Sequence, residues 1–136
     1  MKTPDSLLLR LLLTLLLIGL SQPLLASDGA VANALYHKGD YAAAYREYRA
    51  LAEVGFAHYQ RRIAEMHVAG EGVERDLAKA FAWYALAASQ GDLAGRQNMA
   101  VLRDQMSSDQ LQLSYRLARR YGELYVAPYR PVWQLR

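Results

Sequence analysis

The stretch AGEGVERDLAKAFAWYALAASQGD, residues 69–92, decides how the chain is read. Gly70 and Gly72 stand one residue apart just ahead of an apolar run, which suits either a phosphate cradle or an elbow between two helices. A phosphate-binding glycine loop follows a strand, carries a third glycine or a Gly-Lys-Ser/Thr ending, and turns its amides toward an anion. Here a helical pattern comes first, no third glycine appears, and Glu71 and Glu74 would repel phosphate. The pair therefore reads as an elbow: glycine supplies the positive φ that reverses the chain, and Val73 can pack beneath. Beyond it Leu77, Ala80, Phe81, Tyr84 and Ala88 recur along one stripe at the helical period. Asp76 is placed to cap the start of that helix, and Gly91 to end it in the left-handed conformation.

Working outward, the pattern repeats. Sliding the chain by 36 residues lays 40–66 over 76–102 with seven of 27 positions identical, among them Asp40/Asp76, Tyr48/Tyr84, Ala52/Ala88 and Gly55/Gly91. Alanine matches alone could reflect composition. The aspartates and glycines fall where helices should begin and end, and they establish the repeat. Ser107 answered by Gln110 offers a capping box for a last helix. The spacing predicts helices at about 30–38, 41–54, 57–69, 76–90, 93–106 and 108–125, and no stretch alternates like a strand. Alanines at 42, 44, 78, 80, 87 and 88 let helices approach closely, while aromatic rings fill the space between layers. The expected fold is all-α, a short α-solenoid of antiparallel helix pairs.

The ends read differently. Residues 7–20, LLLRLLLTLLLIGL, follow Lys2 and precede SQPLLAS. A charged start, a short apolar stretch and small residues at a cut site are the order of a secretory signal peptide, and the run is too short to span a bilayer comfortably. Residues 1–27 are assigned to that signal, with cleavage after Ala26 or Ser27; a signal anchor in the inner membrane is the alternative. No cysteine follows to take a lipid, and the whole chain has none, so no disulfide supports the fold and packing must. Residues 28–125 form the repeat domain, closed by a capping helix at 108–125. Residues 126–136, VAPYRPVWQLR, form a tail that either folds back over the last helix or docks a partner through Trp133. The net charge is +3. Removing residues 1–27 takes away Lys2, Arg10 and Asp5 and lowers it further, which gives no electrostatic case for nucleic acid.

Residues 69–92 resemble the Sel1-like repeat, a relative of the tetratricopeptide repeat, through Gly70, Gly72, Val73, Asp76, Lys79-Ala80, Trp83-Tyr84, Ala87-Ala88 and Gln90-Gly91. Residues 34–55 resemble a first unit with a shortened Gly39-Asp40 link. Residues 93–106 resemble the first helix of another unit, and 106–125 a terminal helix. The family usually has Ala, Asn and Tyr where this chain has Tyr59, Arg62 and His67. The resemblance implies a small exported bacterial member that binds a protein or peptide in the cell envelope without chemistry of its own. An accessory factor of peptidoglycan enzymes, contacting glycan or hydrolase, is the alternative. Some cysteine-rich relatives are linked to β-lactam binding; without their cysteines or a Ser-x-x-Lys, this chain does not inherit that role.

Chemistry is sparse. His37, His58 and His67 have no metal-ligand spacing. Glu71, Glu74 and Asp76 lack the alternation of a calcium loop, and no serine sits in a nucleophile context. No catalytic residue, metal or cofactor is assigned, and no stable membrane insertion is expected after cleavage. In related solenoids the first helix of each pair lines the concave face. That points to Asn33, His37, Tyr59, Arg61, Arg62, Glu65, Gln97 and Asn98 as partner-binding residues, with Tyr and Arg the types enriched at binding hot spots. Arg61 and Arg62 read equally well as a solvated helix edge. A second patch gathers Arg116, Arg119 and Arg120 with Tyr115 and Tyr121 on the last helix.

Overall fold

The computed structural model describes residues 29–126, which fold into six α-helices and a final π-helical turn with no strand among them. Residues 1–28, which include the segment expected to be a signal, and residues 127–136, Trp133 included, lie outside the described residues. The helices are α1 (Ala30–His37), α2 (Tyr41–Glu53), α3 (Ala57–Ala69), α4 (Leu77–Ser89), α5 (Leu93–Arg103) and α6 (Ser108–Tyr121). Each packs on the next through α5, and α4 lies against α6. The result is two stacked helix pairs, α1/α2 and α3/α4, with α5 and α6 both packed against α4.

The helix ends follow from side-chain chemistry. The carboxylates of Asp40, Asp76 and Asp92 accept the backbone N–H groups of Ala43, Lys79 and Gly95, so α2, α4 and α5 start on the same device. Ser107 and Gln110 form the reciprocal capping box that starts α6. Gly55 and Gly91, matched by the 36-residue shift, both have positive φ just past a helix end.

The elbow at Gly70 and Gly72 adopts left-handed φ at both positions. Gly72 has a second duty: a Cβ there would overlap the Tyr41 carbonyl, so the elbow of the second pair rests on the first turn of α2. Val73 packs under it against the core.

The core is alanine and aromatic. Ala44, Ala52, Ala64 and Ala80 are fully buried, and they let Tyr48, Phe81, Trp83 and Tyr84 fill the spaces between helices. Three polar side chains, Gln60, His67 and Ser114, are buried as well. Gln60 donates to the Ala52 carbonyl at 3.1 Å and accepts from the Gln90 side chain at 2.6 Å, tying the C-terminal ends of α2 and α4 to the start of α3.

Three expectations need correction. The helix expected to reach 125 ends at Tyr121 and continues as a π-turn over Gly122–Val126. Widening the turn brings Tyr125 over Trp83, the rings stacked 5.3 Å apart at 13°. Val126, assigned from sequence to the tail, is buried in the core cluster. And α5 stops at Arg103, its last turn followed by Asp104–Met106, where no glycine elbow follows to begin a further pair.

Candidate functional site

Helices α1, α3 and α5 carry the residues singled out from sequence, and five of the eight meet in one network. Arg62 is its centre. Its guanidinium lies over Tyr36 of α1 at 4.6 Å and over Tyr48 of α2 at 5.3 Å, while its Nη1 donates to Glu65 at 2.9 Å. Tyr48 donates its hydroxyl to Asn33, and its ring stacks on Tyr59 at 6.0 Å. Glu65 also accepts from Arg61 at 2.6 Å, and Arg61 reaches the Asp92 carboxylate that caps α5 at 3.3 Å. A chain of polar contacts thus runs from α1 through α3 to the start of α5.

Electrostatics fit that arrangement. Burial works against the charge on both arginines. The hydrogen bonds and charges of Glu65 and Asp92 nonetheless hold Arg61 above the ordinary arginine range, and Tyr48 and Glu65 do so for Arg62. Side-chain exposure is 21% for Arg61 and 25% for Arg62. The solvated-edge reading of these two residues therefore gives way to a half-buried, fully engaged pair.

The remaining three lie on the rim. His37 is exposed in the last turn of α1, with its ring edge-on to Tyr36. Gln97 is exposed on α5. Asn98 hydrogen-bonds Tyr84, whose phenol is pushed up to about 12 by burial first and by the Glu65 charge second. Asn98 also lines a recess of about 150 Å³ with Val68, Tyr84, Val101, Leu102 and Gln105, between α3, α4 and α5. Val101 at its edge is 57% exposed.

Elsewhere the structure separates what sequence had grouped. Arg116, Arg119 and Arg120 are exposed on α6, but Tyr121 turns inward onto Trp83 at 4.9 Å and Tyr115 sets its edge against Phe81. His67 is 2% exposed, shares a hydrogen bond with the Tyr45 hydroxyl at 3.1 Å, and is held below the usual histidine range by burial. It fills the place where the repeat family uses an aromatic ring, as packing would have it. Among the described residues no three His, Asp or Glu side chains gather as a metal site, and no helix is long and apolar enough to cross a membrane.

Sequence reading missed three participants. Tyr36 donates to Glu71 at 2.6 Å, which joins α1 to the elbow and raises the Tyr36 pKa. Gln60 carries no sequence mark of its burial, and it is fully enclosed. Asp92 was not singled out, although the Gly-Asp pair at 39–40 recurs at 91–92 and signals a cap at both places.

Comparison with known proteins agrees with this architecture. Residues 57–92 match the Sel1 repeat, a span running from the start of α3 through the elbow and α4 to the α5 cap. Among solved structures, the chain is similar to c5321, a protective antigen present in uropathogenic Escherichia coli strains and displaying an SLR fold. The TM-score is 0.66 at 33% identity, over 71% of this chain and 22% of that one. The chain thus spans about a fifth of the length of that relative. No curated protein matches it. With one matched repeat, a second helix pair of the same build before it and a shared SLR fold, the chain carries a Sel1 repeat within a short α-solenoid.

Proposed function

We propose that the protein is a non-enzymatic binding module of the cell envelope that holds a protein or peptide partner on its α1/α3/α5 side. Repeats of this type are generally protein–protein interaction modules. The observation that carries the reading is the Arg62-centred network beside the α3/α4/α5 recess. Its arginines and tyrosines are locked before any partner arrives, so little side-chain entropy is lost on binding. The recess takes one apolar side chain, and Arg61, Glu65 and Gln97 supply a polar border. The envelope location rests on the signal-like residues 1–27; N-terminal sequencing of the periplasmic form tests it, with residue 27 or 28 expected first and an intact residue 1 counting against it.

Pull-downs from periplasmic extract test the face. The variant Arg61→Ala/Arg62→Ala/Glu65→Ala loses the partner, whereas Arg116→Ala/Arg119→Ala/Arg120→Ala keeps it. The exposed single change Gln97→Arg, which leaves the network intact, weakens capture on its own. Identical partner profiles for the wild type, the triple variant and Gln97→Arg would remove the face from consideration.

A further inference from the structure

A second hollow lies on the opposite side of α3, about 140° around the helix from Arg62. The second helices α2 and α4 make little contact with each other, and the π-turn at the end of α6 swings across to α2. Between them remains a cavity of about 260 Å³. Tyr45 and Arg49 of α2 form one wall, and Lys79 and Trp83 of α4 the other. His67 and Val73 close the floor, while Tyr121 and Tyr125 form the roof.

Size limits the occupant. A dry cavity of ~150 Å³ holds benzene, and pockets for drug-sized ligands begin near ~300 Å³. The hollow therefore suits a single ring with a short substituent. Its wall is a continuous aromatic layer: Trp83 contacts Tyr121 at 4.9 Å and stacks on Tyr125 at 5.3 Å. Another ring extends that layer by offset or edge contact.

Charge decides the class. Aromatic boxes also hold quaternary ammonium groups, but here Arg49 and Lys79 line the hollow and no carboxylate does. Their partners Glu53 and Asp76 hold them from outside, at 2.7 and 3.3 Å, in exposed pairs within one helix turn. Such pairs are weak, and a lysine ammonium has three donors to share. A cation entering the box is repelled and an anion is drawn in. His67 Nε2 is already paired with the Tyr45 hydroxyl at 3.1 Å.

We propose that this hollow binds one aromatic ring bearing a nearby carboxylate, as in a small aromatic acid or the C-terminal aromatic residue of a peptide. The proposal is independent of the α1/α3/α5 face, and either stands without the other.

The chain has two tryptophans, Trp83 and Trp133, so Trp133→Phe makes Trp83 the sole indole reporter in the full chain. Its fluorescence is titrated with 3-phenylpropanoate, with a pentapeptide ending in phenylalanine, and with the amide form of each. Acetate and phenylethyltrimethylammonium serve as charge controls. Both carboxylates give saturable changes near millimolar concentration, about the affinity expected for a ligand of this size. The amides bind about tenfold more weakly, and Lys79→Gln or Arg49→Gln each costs the acids about tenfold, without change in circular dichroism. Tighter binding of the peptide than of the free acid assigns the source to a chain terminus, and the reverse to a metabolite. Equal binding of acid and amide, preference for the ammonium compound, or no saturation by either acid overturns the proposal.

Discussion

Replacing Gly72 by alanine, alongside the same change at Gly70, separates two physical effects within one elbow. Both glycines have left-handed φ, 72° and 70°. An alanine in that region costs about 1–2 kcal/mol through Cβ crowding against its own backbone. At Gly70 that is the whole cost, because the nearest atom to a new Cβ is the Arg75 Cβ at 3.4 Å, an ordinary contact. At Gly72 the new methyl would occupy the Tyr41 carbonyl, backbone that cannot rotate away. Either the elbow lifts from α2 or the first turn of α2 moves. That places Gly72→Ala about 3 kcal/mol or more below wild type, in the range reserved for a named disruption. In a domain of about 100 residues, each 1 kcal/mol moves Tm by ~4–8 °C, so the two melts should differ by several degrees. Urea unfolding followed by circular dichroism measures both. Equal losses at the two positions would refute the contact between the elbow and α2, and with it the way the second pair seats on the first.

Other outcomes follow from the same geometry. Arg62→Gln removes two cation–π contacts, worth ~0.5–1 kcal/mol each, and an ion pair worth ~0.2–1 kcal/mol; the expected loss of ~1–3 kcal/mol in urea is less than half restored by Arg62→Lys, which cannot lie flat on two rings. Gln60→Ala removes a fully buried side chain together with its hydrogen bonds to the Ala52 carbonyl and the Gln90 amide, and should cost about 1–3 kcal/mol; an unchanged melting curve would mean that water replaces the amide. Burial lowers the His67 pKa below the ordinary histidine value of 6.5. The unfolded chain therefore binds that proton first, and stability falls as pH drops below about 6.5, by at most ~1.4 kcal/mol per pH unit. His67→Phe should abolish this contribution, and pH-stability profiles of the same slope between pH 7 and 5 would count against it.

Local features of the chain were written plainly in its sequence. Asp40, Asp76 and Ser107 announce helix starts, Gly55 and Gly91 announce ends, and the alanine–aromatic stripes give the faces that pack. Each of these signals depends on neighbours within a turn or two. What stayed hidden depends on residues far apart in the chain. Gln60 looks like a surface amide until α2 and α4 bring the Ala52 carbonyl and Gln90 to it. Arg61 looks solvated until the start of α5 supplies Asp92, 31 residues away. The π-turn at Gly122 has no local motif, and it follows from the stacking of Tyr125 on Trp83. Likewise, Arg116, Arg119 and Arg120 share a helix side as their spacing says, but periodicity could not show that Tyr121 leaves that group for the core.

The stacking of helix pairs into a preformed face is tested most directly at Arg62, whose side chain touches two other helices at once. In a nuclear Overhauser spectrum of the folded protein, its δ and ε protons should show cross-peaks to the rings of both Tyr36 and Tyr48, with the δ protons shifted upfield by the aromatic faces. Arg62 resonances at random-coil positions, with cross-peaks to neither ring, would contradict the arrangement.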